Sequence, residues 1–246
     1  MRKTKIFGHR GASAMAPENT LEAFALAAEQ GADGIELDVQ MTRDGQLVVA
    51  HDERIDRVSN GTGEIRKYTL EQLKQLSFNR NHPEYQNAVI PTLKEVLELM
   101  KPLKLTINIE LKTGIYWYEG IEEAVANLVR EMKMEKQVIY SSFNHYSVQK
   151  MRQLCPESET AYLYSDVMLH VEEYAKNTGV QGLHPALYHV KMTDFLEQYQ
   201  RSGLAVRVWT VDKEDDIRFL IEKNVDAIIT NEPEKASRIL KEMAGE

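Results

Sequence analysis

The sequence predicts one α/β domain folded as a (β/α)₈ (TIM) barrel, with a small insertion after the second strand region. Strand-like and helix-like stretches alternate through the 246 residues in eight βα units, a usual length for such a barrel. Gly34-Ile35-Glu36-Leu37-Asp38-Val39 and Leu105-Thr106-Ile107-Asn108-Ile109-Glu110-Leu111-Lys112 alternate strictly, with carboxylates opposite an apolar face. Finally, the unusual polar residues collect at the C-terminal ends of the expected strands, the rim where a barrel builds its site.

Lys5-Ile6-Phe7-Gly8 reads as the first strand and ends at His9-Arg10-Gly11-Ala12. After a small-residue loop from Ser13 to Pro17, Asn19 and Glu22 resemble a capping box. It opens a helix over 21–30, which Gly31 stops. Strand 34–41 follows, Thr42-Arg43-Asp44-Gly45 forms a hairpin turn, and Leu47-Val48-Val49-Ala50 runs back to His51-Asp52. Residues 53–90 break the rhythm with loop signals around one helical patch, 69–76, and read as an insertion too short to bury much. Pro91-Thr92-Leu93 starts a helix to Met100. Beyond it the pattern gives strands over 104–111, 137–141, 159–163, 180–183, 204–209 and 225–229. The matching helices cover 119–132, 145–153, 169–177, 191–201, 213–222 and 232–243. No GxGxxG or Walker-type loop follows a strand, which disfavours a nucleotide-binding open sheet.

A net charge of −8 disfavours nucleic acid and anionic membranes as partners, leaving room for a small anionic substrate. The single cysteine, Cys155, excludes an internal disulfide, fits a reducing cytoplasm and reads as inert. Met1-Arg2-Lys3-Thr4-Lys5 leads into two apolar residues before Gly8, which is no signal-peptide core, and no apolar run reaches membrane-spanning length. The expectation is a cytoplasmic protein without a membrane anchor.

Helices following both alternating strands cover their apolar faces, so the polar faces look into the barrel. Three carboxylates buried together repel one another unless a cation sits among them. Glu36, Asp38 and Glu110 therefore read as the ligands of one divalent cation. Oxygen donors without cysteine favour Mg²⁺ or Ca²⁺ over structural zinc. His9 and His51 leave strands on either side of this cluster, and imidazoles titrating near neutrality suit proton exchange with a substrate. Arg10 and Lys112 are ordinary counter-ions or, beside a cation, a phosphoryl clamp. Trp209 caps the barrel core or stacks on substrate, Phe143 packs, and His184 is a rim candidate. Tyr116-Trp117-Tyr118 walls the pocket mouth or packs a helix start, while His82, His145, His170 and His189 are left as surface or hydrogen-bonded residues.

At this point the chain resembles the glycerophosphodiester phosphodiesterases. The resemblance lies in His9-Arg10-Gly11, Pro17-Glu18-Asn19-Thr20, the run from Gly31 to Val39, Thr42-Arg43-Asp44-Gly45 and Val48-Val49-Ala50-His51-Asp52. It continues in Asn60-Gly61-Thr62-Gly63, Ile90-Pro91-Thr92-Leu93, Ile109-Glu110-Leu111-Lys112 and Val208-Trp209-Thr210-Val211. It implies a TIM barrel that hydrolyses deacylated phospholipids such as glycerophosphocholine to glycerol 3-phosphate and an alcohol. It further implies Glu36, Asp38 and Glu110 on the metal, His9 and His51 as general acid and base, Arg10 and Lys112 on the phosphate, and Trp209 near the substrate. Glu53-Arg54-Ile55-Asp56-Arg57 departs from the family's usual Thr-Leu-Asp-Arg after His-Asp, a change expected to touch the insertion and leave the catalytic set intact. Competing readings are phospholipase D-like action on lysophospholipids, disfavoured by the lack of an exposed apolar or basic anchoring segment, and a non-catalytic barrel that binds a phosphorylated ligand.

Overall fold

The computed structural model describes residues 4–245, so the leader reading at Met1–Lys3 lies outside it. Eight parallel strands close on themselves: β1 (Lys5–His9), β2 (Gly34–Met41), β4 (Thr106–Leu111), β5 (Val138–Ser142), β6 (Glu159–Tyr164), β7 (Gly182–Pro185), β8 (Ala205–Val208) and β9 (Ala227–Thr230). Closure comes from β1, which pairs with both β9 and β2. A ninth strand, β3 (Leu47–Val49), runs antiparallel to β2 as the returning arm of the hairpin. The closed eight-stranded barrel is thus as expected.

Period-two alternation decides which residues face the axis. Ile35, Leu37 and Val39 of β2, with Ile107, Ile109 and Leu111 of β4, pack outward with Phe24, Leu93, Val96 and Leu97. Those partners belong to helices α1 (Leu21–Glu29) and α3 (Leu93–Met100). Each such buried Leu, Ile or Val stabilises the fold by about 1.5–3 kcal/mol relative to exposure. The polar faces of β2 and β4 turn inward, and Glu36, Asp38, Asn108 and Glu110 are all buried. A small apolar plug of Phe7, Ile139, Ala161, Ala227 and Ile229 fills the axis beneath them. Gly34 makes room for it, since a Cβ there would lie 2.8 Å from the Phe7 ring and 2.6 Å from the Thr106 carbonyl oxygen.

Helix α1 is capped one residue later than expected. Thr20, not Asn19, is the N-cap, its side chain accepting from the Ala23 N–H, and Asn19 turns into the barrel mouth with φ 58°. The expected helix over 191–201 begins only at Phe195, as α8 (Phe195–Arg201), because the chain turns left-handed at Thr193 (φ 39°); a separate one-turn helix, α7 (Leu187–Val190), precedes the expected span. The segment 53–90 holds a 3-10 turn (Ile65–Lys67) and one short α-helix, α2 (Leu70–Lys74), around a separate cluster of Val48, Ala50, Ile55, Ile65, Leu73, Phe78 and Ile90. The remaining helices are α4 (Ile121–Glu131), α5 (His145–Leu154), α6 (Val171–Asn177), α9 (Glu214–Glu222) and α10 (Pro233–Ala244).

Candidate active site

Strand register brings the carboxylates together. His9 pairs with Glu36 across β1 and β2, and Asp38 pairs with Glu110 across β2 and β4. One oxygen from each of Glu36, Asp38 and Glu110 lies within 4.8 Å of the others. Burial, then Asp38 and Glu110, pushes the Glu36 pKa well above the carboxylate range, and burial with Asp38 raises Glu110. Asp38 goes the other way. Burial opposes its charge, but Lys112, Arg10, His51 and an Asn19 hydrogen bond of 2.8 Å draw its pKa down to about 2. Its Oδ1 is nevertheless buried without a hydrogen-bond partner, as are both amide atoms of Asn108 on the next inward position. Orphaned buried oxygen beside two further carboxylates is what a hard divalent cation satisfies, so the residues fit one.

Two cations flank the cluster. The Lys112 ammonium lies 3.0 Å from Glu110 and 3.8 Å from Asp38, and these carboxylates overcome burial to raise its pKa. Arg10 has left-handed backbone (φ 56°) that aims its N–H at Glu36 Oε2, 3.0 Å away, while its Nε lies 3.4 Å from Asp38. Burial opposes the Arg10 charge, but Asp38, Glu18 and Glu36 outweigh it and raise its pKa.

The histidines face each other across this cluster with different partners. His9 Nδ1 is 2.7 Å from the Asn231 side-chain oxygen, and the Asn231 amide nitrogen donates to Asp212 at 2.7 Å. That second bond fixes which end of the amide meets His9, so Nδ1 carries the proton and Nε2, 3.9 Å from Glu36 Oε2, does not. Burial, then the Arg10 charge, lowers the His9 pKa to about 4. His51 Nδ1 instead meets a carboxylate, Asp52 Oδ1, at 2.7 Å. This bond, with help from Arg57, holds Asp52 well below its ordinary range.

His9, Arg10, Glu36, His51, Asn108, Glu110, Phe143, Leu163, Trp209 and Ile229 line one cavity of about 260 Å³. Its back wall is aromatic, with Phe143 edge-on to Trp209 at 5.5 Å and the Trp209 indole donating to the His184 carbonyl at 2.7 Å. Phe143 therefore lines the cavity instead of packing in the core. His184 leaves the rim, fully buried with its ring 3.4 Å from Arg207. Tyr118 is buried and donates to Gln40 at 2.9 Å, whereas Trp117 stands 63% exposed, and none of the three aromatic residues lines the cavity.

Asn19, Glu18, Asp52, Arg57, Asn108 and Asn231 join the expected set. Asn108 was visible in the β4 alternation and Asp52 adjoins His51, but Glu18, Asn19, Arg57 and Asn231 act through partners that no local pattern links. Arg57 belongs to the segment expected to leave the catalytic set alone, yet it binds Asp52, the partner of His51, at 2.7 Å.

The model of the glycerophosphoryl diester phosphodiesterase family matches residues 9–235. This chain belongs to that family. It is 40% identical over 240 residues to a glycerophosphodiester phosphodiesterase of Caldanaerobacter subterraneus subsp. tengcongensis, covering 97% of this chain and 98% of that one. A glycerophosphodiester phosphodiesterase of Bacillus altitudinis is 41% identical over 243 residues, covering 98% and 99%. Among solved structures, an Oleispira antarctica phosphodiesterase in complex with the product sn-glycerol-3-phosphate superposes with a TM-score of 0.85 at 30% identity, covering 97% of each chain. The glycerophosphodiester phosphodiesterase of Agrobacterium tumefaciens gives 0.84 at 30% identity, covering 96% and 99%. Like the family, this chain is a phosphodiester hydrolase. No helix among the described residues is long and apolar enough to cross a membrane.

Proposed function

We propose that this enzyme hydrolyses glycerophosphodiesters, such as glycerophosphocholine or glycerophosphoethanolamine, to glycerol 3-phosphate and an alcohol. One observation carries the proposal: two imidazoles with differently charged partners share one cavity with Glu36, Glu110 and Arg10, and Asp38 and Lys112 adjoin these groups. Three carboxylates against two cations leave excess negative charge, which would repel a phosphodiester. A divalent cation held by Glu36, Asp38 and Glu110 reverses that sign and, when bound, supplies Lewis-acid polarisation of the phosphoryl oxygens. Mg²⁺ or Ca²⁺ suits the donor set. Arg10 and Lys112 hold the phosphate, and Trp209 with Phe143 shields the cavity from water.

His51, paired with a carboxylate, is suited to carry a proton and deliver it to the leaving alkoxide. His9, paired with a neutral amide, is suited to accept one from the nucleophile. The nucleophile is water or the glycerol 2-hydroxyl, the latter giving a cyclic phosphate that water opens. Segment 53–90 belongs to the same domain as the barrel in this reading, and the lone buried Cys155 supports a reducing, cytoplasmic setting.

A second substrate, lysophospholipid, draws support from an exposed apolar arc that the sequence did not reveal. Ile115, Trp117, Phe143, Val167, Met168 and Leu169 stand on the consecutive loops after β4, β5 and β6, with Tyr146 in the first turn of α5 and Tyr188 in α7. The test is product release from glycerophosphocholine, glycerophosphoethanolamine and lysophosphatidylcholine by chelated protein with Mg²⁺, Ca²⁺ or Mn²⁺ restored. Cation-dependent glycerol 3-phosphate is the expected result. Turnover of lysophosphatidylcholine alone would move the substrate assignment to the lipid. No product under any condition would leave a phosphoryl-binding barrel.

A further inference from the structure

We infer that Arg57 is a positioning residue that sets the general acid and the phosphate clamp in register. The inference rests on the roles proposed above for His51 and Arg10. Its basis is a chain of alternating charge across the rim. Asp52 holds His51 through Oδ1 at 2.7 Å and gives its other oxygen to Arg57 Nε at 2.7 Å. The opposite edge of the same guanidinium grips Glu18 with two bonds, Nη1 to Oε2 at 2.5 Å and Nη2 to Oε1 at 2.8 Å. Glu18 Oε1 in turn accepts from Arg10 Nη1 at 2.8 Å.

The elements joined are far apart in sequence. Glu18 sits on the loop between β1 and α1, and Asp52 follows β3. Arg57 comes from the 53–90 segment and bridges the two. Because Asp52 accepts at Nδ1, His51 keeps its proton there and presents Nε2 as the exchanging atom. Because Glu18 takes one Arg10 nitrogen, the Arg10 guanidinium cannot rotate freely beside Asp38. Among the described residues, Arg57 is the only one whose side chain bonds both carboxylates, so it correlates the two orientations. Without it, Asp52 and Glu18 would face each other as like charges across the space Arg57 filled. Each would then loosen its own partner.

A planar fork with three engaged nitrogens makes lysine a poor substitute, since a single ammonium cannot hold two carboxylates in that geometry. Nothing here requires Arg57 to touch substrate, and it does not line the cavity. Its effect is therefore expected in the range seen when groups behind ligating or catalytic residues are removed, about 10–100-fold.

The experiment measures kcat and KM for glycerol 3-phosphate release, with unfolding midpoints, on a set that includes His51→Ala. Asp52→Asn is expected to lower kcat chiefly, and Glu18→Gln to raise KM chiefly. Arg57→Ala should do both, about 10–100-fold in kcat/KM, and Arg57→Lys should recover only part. In a Glu18→Gln/Asp52→Asn background, Arg57→Ala should change kcat/KM less than about twofold, because the groups it acts through are already disabled. An unchanged kcat and KM for Arg57→Ala, with His51→Ala inactive, would overturn the inference alone. So would an equal further loss in the double-variant background accompanied by a lower unfolding midpoint, which marks a role confined to folding the segment. Retained activity in His51→Ala would instead bring down the acid–base reading beneath it.

Discussion

The barrel carries buried charge at both ends, and the two ends behave differently. At the N-terminal end Arg207 meets Glu159 with two bonds, at 2.7 and 2.9 Å, above a cavity of about 390 Å³. Lys5, Glu135, Lys136, Glu157 and Asp226 also line it, so both signs are interspersed. At the C-terminal end the cavity is smaller, the carboxylates outnumber the cations, and Asp38 Oδ1 is buried without a hydrogen-bond partner, with Lys112 3.8 Å away. Cavity size thus points to the wrong end. Charge imbalance points to the right one, because a balanced pair satisfies itself while an unbalanced cluster stays unfavourable until a ligand arrives.

The largest expected effect separates chemistry from scaffolding. His9→Ala and His51→Ala should each lower kcat by about 10²–10⁴-fold, the usual worth of a general acid or base. Cation affinity, followed by titration calorimetry, should stay near wild type. Near-normal turnover in both variants would remove the acid–base assignment and with it the functional meaning of the upper end.

Exchanging charge at either end sharpens the contrast. In chelated protein, Glu36→Gln removes a carboxyl whose charge burial, Asp38 and Glu110 all oppose and should raise the unfolding midpoint, and with the cation restored it should abolish activity. Arg207→Met should do the reverse, keeping activity within about twofold while losing roughly 1–3 kcal/mol of stability. That range lies below the penalty for a dry pair because the Glu159 side chain is 32% exposed. If Glu36→Gln destabilised the chelated protein as much as Arg207→Met, the two ends would be energetically alike and the comparison would fail.

The smallest effect is one of pH. Burial, then the Arg207 charge, holds His184 well below its ordinary 6.5, so the folded protein keeps it neutral. The unfolded chain takes up a proton below that pH and the folded one does not, so stability falls as pH drops below 6.5 and is unaffected above it. Urea midpoints at about pH 7 and pH 5.5 should therefore differ more in wild type than in His184→Gln. Equal differences in the two proteins would show that His184 titrates the same way folded and unfolded.

Sequence alone determined the barrel and the inward carboxylates. Alternation with period two, read beside the helices that follow, leaves Glu36, Asp38 and Glu110 no face but the inner one. Their like charge then makes them a candidate cation site whatever the exact geometry. His9, Arg10, His51 and Lys112 were legible because they adjoin those same strands. Tertiary structure decided what these groups lean on. The bond from His9 to Asn231 spans 222 positions, which no local pattern encodes. Asn19 read as a helix cap because its immediate neighbours permit one; only folding shows that Thr20 takes the cap and Asn19 turns to Asp38. Arg57 sits in a stretch whose own sequence suggests a surface loop, and its importance arises only when β1 and β3 bring Glu18 and Asp52 to either side of it. Inward or outward direction is a property of local backbone geometry, so it can be read along the chain. Partnership depends on register and closure, and it exists only once the barrel has formed.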